Sequence, residues 1–507
     1  MEPQDLFYHN VPLYVRLPVL FLIFSVVLVS IGVYAGNNVA TSSGLGVYIE
    51  PYTMAFNAQS IGTALGLMFH MRLKLRFTNK ALLLWGLSCA LVLNIVCATT
   101  KDPAVIVFAC FFLGFTKTGA LIEVFLIWMF VWSKKLDTSR MYPFLYFTAL
   151  AGTSFTTWIT TILAYDFDWR YANLIVIALL LLCIVCALFL VENHPLRRIY
   201  PLYQVDYLGL ALLATSMMLL NYAVVYGTVE DWFESLKIVA AFFGSGITLL
   251  LFIKRQLSLK RPMFDLAIFK RSAFRSGLIY FLLVGIFIPT TIQSAFSGGI
   301  LQYETYRNME VNMYLIPGIL TGCVLCYFWY YYALSPEVLI LAGFAGLIVY
   351  YILMYNNFGT QFAINDFWLP SIIKGFATAL IYIAVGLQIT RGLGINLVMG
   401  AAGSMIMIRN FVGSGVFTSV YTYFLYAQRV RHFDHLAGLA ATTNSAISGQ
   451  QNFTETFGIL QRQATLAATK ELSGYIIFAG IAIFAILLVR FICRRLNSVP
   501  VPNLKQG

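Results

Sequence analysis

Charge is what this chain has least of. Only 11% of its 507 residues are Asp, Glu, Lys or Arg, where a soluble domain carries about a quarter. So few charges cannot cover the surface of a water-soluble globule of this length. The dipeptide Gly-Lys does not occur, which excludes a phosphate-cradling P-loop. No alternation of apolar and polar residues marks an outer-membrane strand. No His/Asp/Glu cluster, zinc motif or Ser–His pair points to an intramembrane enzyme, and no cofactor is implied.

Apolar mass, by contrast, is abundant. Hydrophobic residues make up 60% of the chain, with 42 Phe and 30 Tyr, and the mean hydropathy is +0.80. That excludes disorder and indicates an all-α polytopic membrane protein. A bilayer core of about 30 Å takes about 20 apolar residues in a helix. Fourteen such stretches lie near 17–35, 51–70, 80–99, 104–130, 143–164, 171–191, 206–226, 235–254, 274–296, 311–332, 337–355, 367–389, 402–426 and 473–493. The N-terminal one reads as an uncleaved span, since no small-residue cleavage site follows it.

Basic residues set the expected orientation. With the N-terminus cytoplasmic, Arg72, Lys74, Arg76 and Lys80 fall inside, as do Lys134, Lys135, Arg140, Arg197 and Arg198. The connection after the eighth span adds Lys254, Arg255, Lys260, Arg261, Lys270, Arg271 and Arg275. Both termini then lie in the cytoplasm. Anionic lipid headgroups are a sufficient partner for the net charge of +12, and nucleic acid is not needed to explain it. Cys183-x-x-Cys186 and Cys323-x-x-Cys326 sit inside apolar spans and read as buried small hydrophobes, not metal or redox sites.

Two connections are long. Met263, Phe264, Leu266, Ile268 and Phe269 share the cytoplasmic one with Lys and Arg, a pattern of an interfacial amphipathic piece. The external segment 427–472 is polar and predicts two helical pieces, Arg429–Ala441 and Phe453–Leu472. It reads either as a cap on the rim or as a docking surface for a periplasmic partner. With many helices and no ATPase of its own, the chain is expected to be a secondary transporter.

Short segments in a fixed order support this. They are Asp168-Trp169-Arg170-Tyr171 with Asn173; Val205-Asp206-Tyr207-Leu208-Gly209; Tyr226-Gly227 with Asp231-Trp232-Phe233; and Pro262, Asp265-Leu266, Phe269 and Phe274. Leu301-Gln302-Tyr303 with Leu315-Ile316-Pro317, Arg409-Asn410-Phe411-Val412-Gly413-Ser414 and Gln463-Ala464 follow. Together the chain resembles the fourteen-span drug:proton antiporter family of the major facilitator superfamily. The resemblance implies two six-helix bundles, residues 1–200 and 261–507, with two extra helices in 201–260 between them. Substrate would bind between the bundles near mid-membrane, with access alternating by rocking. It also implies a periplasmic adaptor protein and an outer-membrane channel as partners, by analogy alone.

The family's signature positions are filled differently here. In the loop motif after the second span, Gly66 is followed by His70, Met71, Arg72, Leu73 and Lys74, so the positive charge persists without the acid. In the fourth span Gly119 is kept and Phe115 takes the arginine position. In the fifth, Gly152 lies among small residues without a proline, and the first span ends at Tyr34-Ala-Gly-Asn-Asn38 without an aspartate.

Ionisable residues inside a bilayer are costly and rank as functional candidates. Glu123, near the middle of the fourth span, and Glu50, opening the second, are the proton-coupling candidates. Lys117, Lys374 and Arg409 are the candidates for contact with substrate charge. Lys117 and Glu123 are six residues apart, about 120° round a helix, so each should face other groups. Asp206 reads as an N-cap, and Gly62-x-x-x-Gly66 as close helix packing. The expectation is a proton-coupled exporter of small amphipathic compounds in a cytoplasmic (inner) membrane. Two readings stay open beside it: a facilitator, lipid-like or anionic-substrate transporter without proton antiport, and a receptor or assembly subunit that does not transport.

Overall fold

A computed structural model describes residues 7–8, 10–36, 38–74, 76–132, 139–193, 206–259, 262–359, 362–444 and 453–497. Fourteen helical traverses follow the fourteen apolar stretches among these residues. They are α1 (Leu13–Val29), α2 (Glu50–Leu73), α3 (Asn79–Thr99), α4 (Pro103–Trp132), α5 (Met141–Asp166), α6 (Tyr171–Leu190), α7 (Tyr207–Tyr226) and α8 (Leu236–Ser258). After them come α9 (Ser272–Gly285), α10 (Leu315–Tyr331), α11 (Pro336–Asn357) and α12 (Trp368–Thr390). The last two are α13, in three joined pieces (Ile395–Ile406, Met407–Val416 and Phe417–Asn444), and α14 (Phe453–Asn497).

Ten of the helices are long and apolar enough to cross a membrane by themselves. Neither α2 nor α5 is among these ten, and the reason is what they bury. The inner face of α2 carries Asn57, Gln59, Ser60, Thr63 and His70, and α5 carries Thr148, Thr156, Thr160 and Thr161, all buried. Both helices run along the seam between two six-helix halves, α2 against α13 and α5 against α10 and α12. A helix screened from lipid on both sides can carry polar residues that a lipid-facing one cannot.

Within each half the second helix lies close against the fourth, α2 on α4 and α10 on α12. Three glycines make each approach possible. A Cβ on Gly62 would collide with the Phe111 carbonyl, one on Gly66 with the Phe115 carbonyl, and one on Gly114 with the Gln59 carbonyl. In the other half Gly318 abuts the Ile372 carbonyl, Gly322 that of Phe376, and Gly375 that of Leu315. The spacing of the three contacts is the same in both halves, so the two halves share one frame. Helices that gain nothing from the hydrophobic effect inside lipid associate through this kind of backbone contact.

The extra pair, α7 and α8, packs on itself and lays α7 against α2. Asp206 caps α7 by accepting from the Gly209 N–H at 2.8 Å, and ties it to α8 through Arg255 at 2.8 Å and Gln256 at 2.7 Å. Asn221 of α7 accepts from Asn57 of α2 at 3.0 Å and donates to the Met54 carbonyl at 2.9 Å.

Three expectations are corrected. The first and ninth spans are not continuous helices. α1 stops at Val29 and the chain unwinds before a short helix, Asn38–Leu45; α9 stops at Gly285 and resumes as Thr291–Gly299. Three of the five apolar residues in the segment around Met263 turn into the protein and not toward a lipid surface. Met263, Phe264 and Ile268 are buried in the core, and the Phe264 N–H is held by Gln256. The two helical pieces in 427–472 are not separate caps but continuations of α13 and α14. At about 1.5 Å per residue, the 45 residues of α14 span about twice the apolar thickness of a bilayer, so the two helices project as a hairpin. His432 and Glu471 bond across it at 2.9 Å, and Phe433 meets Phe457.

Candidate functional site

The polar groups buried at the seam fall into three sets. The first lies at the end of the molecule opposite the hairpin, between α2 and α4. Glu123 is 1% exposed and its Oε2 accepts from Lys74 Nζ at 2.6 Å. Lys74 caps the end of α2, so the acid pairs with the basic residue of the loop motif and not with Lys117. One turn back on each helix, His70 faces Gly119, whose Cβ would sit 3.3 Å from the imidazole. His70 Nδ1 lies 2.9 Å from both the Gly66 carbonyl and Thr118 Oγ1. Thr118 already donates its proton to the Phe115 carbonyl at 2.6 Å. Nδ1 therefore carries the hydrogen, which leaves Nε2 with a free lone pair.

Neither His70 Nε2 nor Glu123 Oε1 has a hydrogen-bond partner among the described residues, and both are buried. Such atoms are rare and call for a role. Here a proton acceptor nitrogen and a spare carboxylate oxygen lie one helical turn apart, with Lys74 holding the carboxylate. Arg72, beside this set, donates to the Pro262 carbonyl at 2.6 Å and so reaches across to the connection that precedes α9. His70 was passed over as a mere departure from the loop motif; its signal was an imidazole inside an apolar span.

The second set spans the two halves. Arg409 lies in the middle piece of α13, which is wound as a π-helix, a winding that often marks functional sites. Its guanidinium stands 5.6 Å from the Tyr146 ring of α5 and 5.0 Å from the Tyr382 ring of α12. Tyr142, one turn before Tyr146, donates to Thr390 Oγ1 at 2.8 Å. Arg409 Nε donates to Asn410 Oδ1 at 2.9 Å, so the seam holds a cation flanked by rings from opposite halves. Sequence reasoning had Arg409 and missed both tyrosines, which are far from it in the chain.

The third set holds Lys117 and Lys374, and neither meets an acid among the described residues. Lys117 Nζ donates to the Ser30 carbonyl at 2.7 Å, and Lys374 Nζ to the Ile288 carbonyl at 3.3 Å. Glu50 opens α2 at the hairpin end, with Oε2 buried and unpartnered among the described residues. Gly152 has open space where a Cβ would be and so makes no close contact there. Beside Glu50, a groove of about 810 Å³ lies between α2, α4 and α7, lined by Met54, Phe108, Phe111, Phe112, Met218 and Tyr222 among others.

No family model matches the chain. Multidrug export protein EmrB of Haemophilus influenzae is 22% identical over 288 residues, which is 54% of this chain and 54% of that protein. The matched region thus spans about half the length of that curated relative. Two solved structures align along nearly all of both chains. The nucleoside transporter NupG is 13% identical with a TM-score of 0.53, over 93% of this chain and 100% of its own. A bacterial homologue of the human drug peptide transporters PepT1 and PepT2 is 14% identical with a TM-score of 0.57, over 94% and 99%. The chain has the fold of these major facilitator proteins, and its many long apolar helices are those of a multi-pass membrane protein. The cargoes of these three differ, so the likeness fixes the fold and leaves the cargo to the site.

Proposed function

We propose that this major facilitator chain exports small amphipathic compounds in exchange for protons, with the His70–Glu123–Lys74 node as the coupling site. One observation carries the reading. The node is buried, holds two unpartnered atoms that accept protons, and has no counterpart in the other half of the same frame. Counting from the shared glycines, Cys326, Tyr330, Ala379 and Ala384 stand where His70, Lys74, Thr118 and Glu123 stand. The frame closes without the polar set, so its presence in one half is not a packing requirement.

A proton on the node weakens the Lys74–Glu123 bond and frees the end of α2, which lies along the seam with α13. The adjacent Arg72 bond to Pro262 passes that change to the other half. The apolar groove at α7 suits an amphipathic cargo drawn from the bilayer, and the distant likeness to a multidrug export protein agrees. In this reading the basic connections face the cytoplasm across an inner membrane, with both termini on that side, and the α13–α14 hairpin is the surface for a periplasmic adaptor leading to an outer-membrane channel.

The test is uptake of amphipathic dyes and drugs into proteoliposomes under an imposed proton gradient, for wild type and Glu123→Gln. The expected result is gradient-driven uptake that the variant loses while it still exchanges cargo down a concentration gradient. Equal gradient-driven uptake by both overturns the assignment.

Arg409 between Tyr146 and Tyr382 favours a second reading, in which the cargo carries a carboxylate or other anionic group. Competition between matched amine and carboxylate analogues separates the two. Arg409→Gln should weaken only the carboxylate series if the second reading is right.

A further inference from the structure

The breaks in α1 and α9 fall in the first helix of each half, and each leaves backbone carbonyls without helical partners. Helix ends always do so; within an apolar layer the cost of each unpaired group is several kcal/mol. The break after α9 solves this with one donor from each of three helices. Tyr421 of α13 donates to the Ile286 carbonyl at 2.7 Å, Tyr351 of α11 to that of Phe287 at 3.2 Å, and Lys374 of α12 to that of Ile288 at 3.3 Å. The break after α1 is held in the same manner. Lys117 of α4 donates to the Ser30 carbonyl at 2.7 Å and lies 3.4 Å from that of Leu28, while Asn94 of α3 donates to Ser30 Oγ at 2.8 Å.

The two lysines occupy related places. Each sits on the fourth helix of its half and reaches the broken first helix. Lys374 directly precedes Gly375, and Lys117 follows Gly114 by three residues. When the shared glycine contacts are matched, the lysines are therefore one helical turn apart on the same face. Both side chains are buried, at 4% and 5% exposure. Neither meets a carboxylate among the described residues. Lys374 has the Tyr350 ring at 4.9 Å, and Lys117 lies among the Ser30 carbonyl, Asn94 and the Cys97–Cys110 pair. A buried ammonium without an acid needs compensation. The negative ends of broken helices supply it here, as such ends coordinate monovalent cations in other transporters.

We infer that the two breaks are carbonyl cradles for a monovalent primary ammonium, occupied in this chain by the tethered side chains of Lys117 and Lys374. The chain carries its own cations, so both breaks hold their shape without a bound ion. Removing a lysine side chain opens the cradle to a free alkylammonium ion. This inference does not rest on the cargo or on proton coupling.

The test is amide hydrogen exchange of the full chain in lipid nanodiscs, for wild type, Lys117→Ala and Lys374→Ala, with methylammonium chloride or with tetramethylammonium chloride as the control too large to enter. Each variant should speed exchange about tenfold, and only around its own break: Ser30 for the first, Ile288 for the second. Methylammonium should restore protection and tetramethylammonium should not. Unchanged exchange at the matching break, loss spread evenly over both halves, or equal behaviour with the two ions overturns the inference. Where an alanine variant does not fold, Lys117→Gln or Lys374→Gln replaces it, keeping donors without charge. Accelerated exchange confined to the matching break again supports the cradle, and wild-type exchange overturns it.

Discussion

The two halves of this membrane protein share a backbone frame and differ in what they bury inside it. Gly62, Gly66 and Gly114 bring α2 onto α4 with the same spacing with which Gly318, Gly322 and Gly375 bring α10 onto α12. One half then fills the space beyond the glycines with His70, Thr118, Lys74 and Glu123; the other fills it with Cys326, Ala379, Tyr330 and Ala384. The other half packs there without a carboxylate or an imidazole, and the Tyr330 hydroxyl is its one unpartnered polar atom among those four residues. The contrast separates scaffold from chemistry within one molecule: what both halves have is architecture, and what one half adds needs another explanation.

The comparison can be broken from either side. The largest effect belongs to the frame. Gly62→Leu and Gly318→Leu each drive a side chain into a backbone carbonyl, and each should cost about 3 kcal/mol or more, read as loss of folded, monodisperse protein in detergent. If one is tolerated and the other is not, the halves do not share a frame. Next comes the ion pair. Glu123→Ala leaves Lys74, about a fifth exposed, without its acid, at a cost of about 3 kcal/mol before that exposure is allowed for. Adding Lys74→Met should return much of the loss, and a thermal-unfolding double-mutant cycle checks it. A sharper version converts the node to its counterpart with His70→Cys, Lys74→Tyr, Thr118→Ala and Glu123→Ala together. This variant is expected to fold and to lose gradient-driven uptake.

Smaller effects lie outside the node. Asp206→Asn should cost about 1–2 kcal/mol through the cap and the ties to α8, seen as a lower unfolding temperature with the seam contacts intact. Gly152→Ala should be neutral or stabilise by at most about 1 kcal/mol, because nothing lies where its Cβ would go. Marked destabilisation there would show a constraint on Gly152 that the open space beside it does not predict.

Much of the fold was legible before any coordinates. Fourteen apolar stretches became fourteen traverses because the length of a span is set by bilayer thickness and helix rise, which are local quantities. The breaks in α1 and α9 were not read, although Ser30 with Gly32 and Pro289 with Thr290 mark them; the donors that permit the unwinding come from other helices, which no local pattern shows. Glu123 was visible as a buried acid. Its partner was not, because Lys74 lies 49 positions away and only the α2–α4 approach joins them. The same holds for Arg409 with Tyr146, and for Asp206 beyond its local cap.

By itself, the sequence determined that this chain crosses a membrane, where it crosses, and which few ionisable residues it carries inside. Apolar burial is additive along the chain, so those properties can be read residue by residue. Only the tertiary structure decided which charges meet. It put Glu123 on Lys74, turned Lys117 and Lys374 onto open carbonyls instead of acids, and set Arg409 between rings from opposite halves. Those pairings depend on distances between helices that close glycine contacts fix, and no local pattern encodes them.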